Sequence, residues 1–188
     1  VFKLTSKARV ALDKGEVDKA EGFYAEALKL DKNNPDALLG MGRVFEQKAD
    51  LSSAESYYRR VLDNEPKHVT AHLYLGNIYR KKGNFKEAEK YVKRATVLAP
   101  GDIGWQQLLA GLYEQMGRWE DARDAYLKAV SLDNYDPDPR AGLARVYERL
   151  GKKDLAIEQY EAILKIIDGL PKRERQGDMI RKKIEELR

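Results

Sequence analysis

The stretch Leu75-Gly76-Asn77-Ile78-Tyr79, followed by Ala88 and Pro100, decides how this chain folds, because its parts recur at one fixed interval. Stepping by 34 residues from Ala20 gives Ala54, Ala88, Ala122 and Ala156 without a slip. A second column reads Tyr24, Tyr58, Val92, Tyr126, Tyr160, and a third reads Gly15, Ala49, Gly83, Gly117, Gly151. A fourth reads Ala8, Gly42, Gly76, Ala110, Ala144, with Ala11, Phe45, Tyr79, Tyr113, Tyr147 beside it. Periodicity of this length is the mark of a stacked repeat, in which each unit buries its apolar face on its neighbours.

Each column has a physical reason. Small residues such as Gly76 and Ala88 belong where two helix backbones cross closely, and Tyr79, Tyr113 and Tyr147 are large enough to fill the space between successive hairpins. The glycines at 15, 83, 117 and 151 fall where a helix ends in a left-handed residue, a conformation that costs glycine least. Ala49 stands in that column and should cost about 1 kcal/mol relative to glycine if its backbone is left-handed. Asp31-Lys32-Asn33-Asn34-Pro35 and Asp133-Asn134-Tyr135-Asp136-Pro137 are junctions that place proline in a helix's first turn.

The pattern predicts paired helices, the first of each pair near 2–14, 35–48, 69–82, 103–116 and 137–150. The second helices are predicted near 17–30, 51–64, 85–98, 119–132 and 153–167. A last helix, 171–187, opened by Pro171, carries one apolar stripe of Ile180, Ile184 and Leu187, as expected of a cap over the final repeat.

The columns resemble the tetratricopeptide repeat family, whose unit runs Leu-Gly-x-x-Tyr, then Ala-x-x-x-Phe/Tyr, then Pro. The likeness covers residues 1 to about 170 and divides them into 1–34, 35–68, 69–102, 103–136 and 137–170, with 171–188 as capping helix. There are departures: the first-helix tryptophan column reads Leu4, Leu38, His72, Gln106, Arg140, and proline is kept only at Pro66 and Pro100. The resemblance implies an all-α, right-handed superhelical solenoid of five hairpins with a groove lined by the first helices. It implies binding of a protein or peptide there, as a scaffold or adaptor.

Composition agrees with a helical chain: 35% of residues are charged, 43% are hydrophobic, and only 6 of 188 are proline. The absence of cysteine excludes disulfides, thiolate metal sites and a cysteine nucleophile; it fits the cytoplasm without excluding a periplasm. The net charge of +4 is a small difference between 35 basic and 31 acidic residues. Summed over successive repeats and the tail it runs +1, −1, +4, −3, 0 and +3, so no single face collects the basic surplus that a nucleic-acid binder needs. No apolar run reaches the ~18–20 residues that cross a bilayer, and the start Val1-Phe2-Lys3-Leu4-Thr5 does not read as a signal peptide. A chain that opens at valine within a helical pattern is expected to be a fragment of a longer protein.

The residues that could carry chemistry read as structural. His68 and His72 are four apart, but the position that would supply a catalytic glutamate lacks one, and the chain has no third histidine. Glu87 with Glu89, and Asp121 with Asp124, lie on helix surfaces beside basic neighbours, which does not split their pKa values. Trp119 shares a packing column with Val17, Leu51 and Phe85, whereas Trp105 is a candidate at the groove lip. No cofactor, metal or catalytic site is predicted.

Groove residues are expected at a fixed offset from the small-residue column. The residue just after it reads Arg9, Arg43, Asn77, Gly111, Arg145. Gln107 lies four before Gly111 and belongs to the column Thr5, Leu39, Leu73, Gln107, Ala141. Positions further on read Leu12/Asp13, Glu46/Gln47, Arg80/Lys81, Glu114/Gln115 and Glu148/Arg149. The predicted partner-binding set is Arg9, Arg43, Asn77, Arg80, Gln107, Gly111, Arg145 and Arg149. Arginine forks suit carboxylates and peptide carbonyls, so an acidic partner segment is one expectation; the alternative is that the arginines pair with neighbours such as Glu46 or Glu148. Some family members hold chaperone tails with a clamp of lysines and asparagines, a pattern that fails here at Thr5, Leu39 and Leu73. The rival functions are a recruiting segment of a larger enzyme or export machine, and self-association through a terminal repeat.

Overall fold

The computed structural model describes residues 1–168, 170 and 173–188. Among them are eleven α-helices: α1 (Phe2–Asp13), α2 (Val17–Leu30), α3 (Pro35–Gln47), α4 (Leu51–Asn64), α5 (Val69–Lys81), α6 (Phe85–Leu98), α7 (Ile103–Gln115), α8 (Trp119–Leu132), α9 (Pro137–Arg149), α10 (Lys153–Ile167) and α11 (Glu174–Leu187). The second helices begin and end where the periodicity predicts. The first helices stop one residue early, and the reason is local. In α1, Lys14 is a right-handed C-cap and Gly15 follows at φ +77°. The Glu16 N–H then bonds the Ala11 carbonyl at 2.9 Å, and the Gly15 N–H bonds Leu12 at 3.0 Å. This pair of bonds is a Schellman motif, which satisfies carbonyls that the helix end would otherwise leave orphaned.

The same closure recurs at Gly83, Gly117 and Gly151, and also at Ala49, where φ is +60°. Ala49 is the only non-glycine with positive φ among the described residues. The repeat's geometry therefore imposes a left-handed residue even where the sequence does not supply glycine. Several helix starts carry side-chain caps: Asn34 accepts from the Ala37 N–H, Asp50 from Ser52 and Ser53, and Asp102 from Trp105. Pro35 and Pro137 occupy first-turn positions, where a missing N–H costs nothing. Pro171, expected to open the last helix, lies outside the described residues.

The fold divides into two compact units, Val1–Leu98 and Ala99–Arg188. In the first, α1 pairs with α2, α3 with α4 and α5 with α6, while α2 packs on α3 and α4 on α5. Alanine lets the helices approach: Ala8, Ala20, Ala54 and Ala88 are fully buried. Leu12, Tyr24, Met41 and Val44 fill the core around the first of these crossings, and Leu38, Val61 and Ala71 form a second cluster. In the second unit α7 pairs with α8, α9 with α10, and α11 lies against α10. Ile180 and Ile184 of α11 bury themselves with Ile163 and Ile167, with Leu187 packed alongside, so the predicted apolar stripe is the contact surface. Among the described residues no helix is long and apolar enough to cross a membrane.

Two kinds of glycine serve the packing. Gly42 faces its own hairpin: a Cβ there would come within 2.2 Å of the Tyr58 ring. Gly40 and Gly142 face the preceding hairpin and admit the rings of Tyr24 and Tyr126, which would lie 2.1 and 2.3 Å from an added Cβ. Tyr24 and Tyr126 are thus wedged against the first helix that follows them.

Candidate functional site

Tyrosines of the second helices organise the polar chemistry of the first-helix faces. Tyr58 donates its hydroxyl to Glu46 Oε1 at 2.7 Å, Tyr126 to Glu114 at 2.5 Å and Tyr160 to Glu148 at 2.7 Å. In each case the partner lies twelve residues earlier, on the first helix of the same hairpin. Each carboxylate then receives a cation from the element that follows: Lys81 at 2.6 Å from Glu46, Arg145 at 3.4 Å from Glu114, and Lys183 at 2.9 Å from Glu148. Burial, and then the bond to the carboxylate, raises the phenols of Tyr58, Tyr126 and Tyr160 above the usual range. For Glu148, burial pushes the carboxyl up, but the bonds from Tyr160 and Lys183 outweigh it and hold it below the ordinary value.

Two hairpins break this rule in different ways. The third has Arg80 and Val92 at the two positions, so both partners are replaced together, and Arg80 turns to Asn77 with Nη2 to Oδ1 at 2.8 Å. The first keeps Tyr24 but has Leu12 in place of the glutamate. Tyr24 is 3% exposed, and its hydroxyl has no hydrogen-bond partner among the described residues. Burial raises its phenol, with Arg43 and Arg9 opposing that shift and Asp13 and Asp36 adding to it.

Tyr24 lines a cleft of about 190 Å³ together with Arg9, Arg43, Asp36, Leu39 and Tyr74, among others. Arg9 and Arg43, predicted from the repeat offset, are therefore brought together. Arg43 has a long contact of 3.6 Å to Asp13, and Arg9 has no ion pair among the described residues. In the second unit Arg145 and Arg149 share a cleft of about 630 Å³ with Glu148, Met179 and Lys183. There Arg145 is engaged by Glu114, and the Arg149 guanidinium lies over the Trp119 ring at 5.5 Å. Gln107 and Gly111 are half-buried on α7, and open space lies beyond the Gly111 Cα. On α5, Arg80 donates through Nε and Nη2 to Asn77 Oδ1.

Offset counting found the arginines but missed Tyr24, because a tyrosine at that position reads as core. The signal was available in the joint departures of two columns, Glu with Tyr, twelve residues apart.

The remaining candidates have structural roles. His68 caps α5 by accepting the Ala71 N–H at 3.3 Å, and buried His72 places Nε2 2.9 Å from the Pro66 carbonyl. Glu87 pairs with Lys90 and Glu89 with Lys93; Asp121 pairs with Arg118 and Asp124 with Arg123. No group of three metal-ligating side chains occurs among the described residues. Trp105 is half-buried, and its backbone N–H donates to the Asp102 cap at 3.2 Å.

A profile of the tetratricopeptide repeat family matches residues 5–63, 39–103 and 108–171. No curated protein matches the chain. Among solved structures, MamA from Desulfovibrio magneticus RS-1 superposes with a TM-score of 0.79 at 23% identity, covering 89% of this chain and 95% of that one. YrrB, described as a tetratricopeptide protein with an unusual peptide-binding site, gives 0.70 at 20% identity over 89% and 86%. PilF of Pseudomonas aeruginosa gives 0.78 at 16% over 98% and 90%. These likenesses show a shared fold, whereas the profile spans most of the chain: the protein belongs to the tetratricopeptide repeat family, whose members are protein-interaction scaffolds.

Proposed function

We propose that this protein binds an extended peptide or a helix of a partner protein on its first-helix faces and so acts as an adaptor in a multiprotein assembly. The observation that carries this reading is the cleft between α1 and α3, where two arginines and a buried tyrosine face open space with few internal partners. Arginine is pre-organised to bond planar acceptors, and a site whose donors are unsatisfied internally is one that a ligand can complete. The peptide-binding site named for YrrB, on the same fold, adds support. The five-repeat division 1–170, with a terminal cap, is part of the same reading. So is a non-catalytic role, since the acidic pairs are neutralised by neighbouring cations.

The test is affinity capture from cells of the source, comparing the parent with Arg9→Glu/Arg43→Glu/Arg145→Glu. One partner retained by the parent and lost by the variant, at unchanged helicity, is the expected result. Equal recovery by both would place the contact elsewhere and refute the assignment of Arg9, Arg43, Asn77, Arg80, Gln107, Gly111, Arg145 and Arg149.

A further inference from the structure

Three hairpins share one constellation: a buried tyrosine hydroxyl from the second helix, a glutamate from the first helix, and a cation from the element that follows. Glu46, Glu114 and Glu148 each sit between two such donors. The first hairpin retains the donors and lacks the acceptor. Tyr24 is the equivalent of Tyr58, Tyr126 and Tyr160, and Arg43 on α3 is the equivalent of Arg145 on α9. Leu12 occupies the position of the three glutamates and turns into the core, 1% exposed.

We propose that the α1–α3 cleft takes an acidic side chain of a partner peptide, whose carboxylate accepts from the Tyr24 hydroxyl and pairs with Arg43 and Arg9. This deepens the peptide-binding reading above and rests on it. Four observations support it. Tyr24 is 3% exposed and lines the cleft, where its hydroxyl has no protein partner and is left to water rather than sealed in the core, so it is a donor that no group of the chain competes for. Gly40 keeps the tyrosine in place, since any larger residue would displace its ring. Arg9 adds a second cation from the same hairpin, as Arg43 and Arg145 do from the same column in the second and fifth hairpins; Asp36 borders the cleft but stands in the first turn of α3, where the helix N-terminus already favours its charge. Asp13 reaches only Arg43, at 3.6 Å. The cleft's volume of about 190 Å³ suits one side chain rather than a folded segment.

A side chain is preferred to a chain terminus because the group to be replaced is itself a glutamate side chain in three equivalent places. A charged acceptor strengthens the bond from a phenol, and a planar carboxylate can also engage a guanidinium fork.

The probe is a fluorescent hexaglutamate blocked at both ends, followed by anisotropy, with blocked hexaglutamine and hexaglutamine bearing a free C-terminus as comparators. Tyr24→Phe changes no charge, so diffuse attraction between an acidic peptide and a basic protein is untouched by it. The proposal expects hexaglutamate to bind the parent, to bind Tyr24→Phe about five- to tenfold more weakly, and to be lost with Leu12→Glu, which supplies the acceptor from within. Equal binding to the parent and Tyr24→Phe overturns it, as does failure of hexaglutamate to bind the parent. Tyr24-dependent binding of free-ended hexaglutamine as tight as hexaglutamate would overturn the side-chain assignment in favour of a terminus. Should Leu12→Glu fail to fold, Tyr24→Phe decides alone. Capture of the cellular partner by Tyr24→Phe as by the parent, together with no effect on hexaglutamate, removes the carboxylate site and leaves the adaptor reading standing. Failure of the parent itself to capture any cellular partner, with the hexaglutamate result intact, removes the adaptor reading and leaves the carboxylate site.

Discussion

Replacing Tyr126 by phenylalanine removes one oxygen that donates to the Glu114 carboxylate at 2.5 Å, while leaving the ring wedged over Gly142. A hydrogen bond to a charged acceptor contributes about 1.5–3 kcal/mol net. Glu114 is 21% exposed and keeps its contact with Arg145 at 3.4 Å, so water and the guanidinium recover part of the loss. The expected cost is about 1–2 kcal/mol. Tyr24→Phe removes the equivalent oxygen where it has no protein partner, so its cost should lie within about 0.5 kcal/mol of zero. Urea unfolding measures both. The two tryptophans, Trp105 and Trp119, lie in the second unit, so their fluorescence follows the unit that holds Tyr126. Circular dichroism follows Tyr24→Phe. With a urea dependence of about 1–3 kcal/mol per molar, Tyr126→Phe should lower the fluorescence midpoint by about 0.5–1 M. Equal losses in the two variants would mean that Tyr24 has a partner, and no loss in Tyr126→Phe would mean that the tyrosine–glutamate bond contributes nothing. Either result refutes the reasoning.

Ala49→Gly should stabilise the first unit by about 0.5–1 kcal/mol, because relief of the left-handed strain outweighs the extra freedom of glycine in the unfolded chain. Gly83→Ala, at φ +74°, should lose a similar amount; thermal unfolding of the two variants checks the pair, and a fall in midpoint for Ala49→Gly would contradict it. Glu55 is pushed up by burial, but the bonds from Lys82, Tyr79 and Arg59 prevail and hold its pKa at about 2. Its contribution is therefore complete above the ordinary glutamate pKa and is lost as pH falls towards 2. With the carboxylate 20% exposed and partly screened, Glu55→Gln should flatten the acid limb of the stability curve by about 1–2 kcal/mol, read from urea titrations between pH 5 and 2. An acid limb unchanged by the substitution would show that the network has no weight.

What the sequence determined by itself is the repeat, the helices and their ends. Glycine or alanine at 15, 49, 83, 117 and 151 marks where a first helix must close, and a 34-residue step carries that mark along the chain. These are local or strictly periodic constraints: cap chemistry and left-handed backbone act over a few residues, and apolar spacing sets which face is buried. The column containing Arg9 and Arg43 was legible for the same reason. Tertiary structure decided which of those arginines has work left to do. Arg145 meets Glu114 and Arg149 meets Trp119 only because of how α9 lies against its neighbours, and no offset along one helix reports that. Tyr24 and Tyr126 are the same residue in the same column, but one finds a glutamate across the hairpin and the other finds Leu12. A side chain's hydrogen-bond partner depends on the direction it points and the distance between two packed helices, and both are properties of the assembled fold rather than of either strip of sequence.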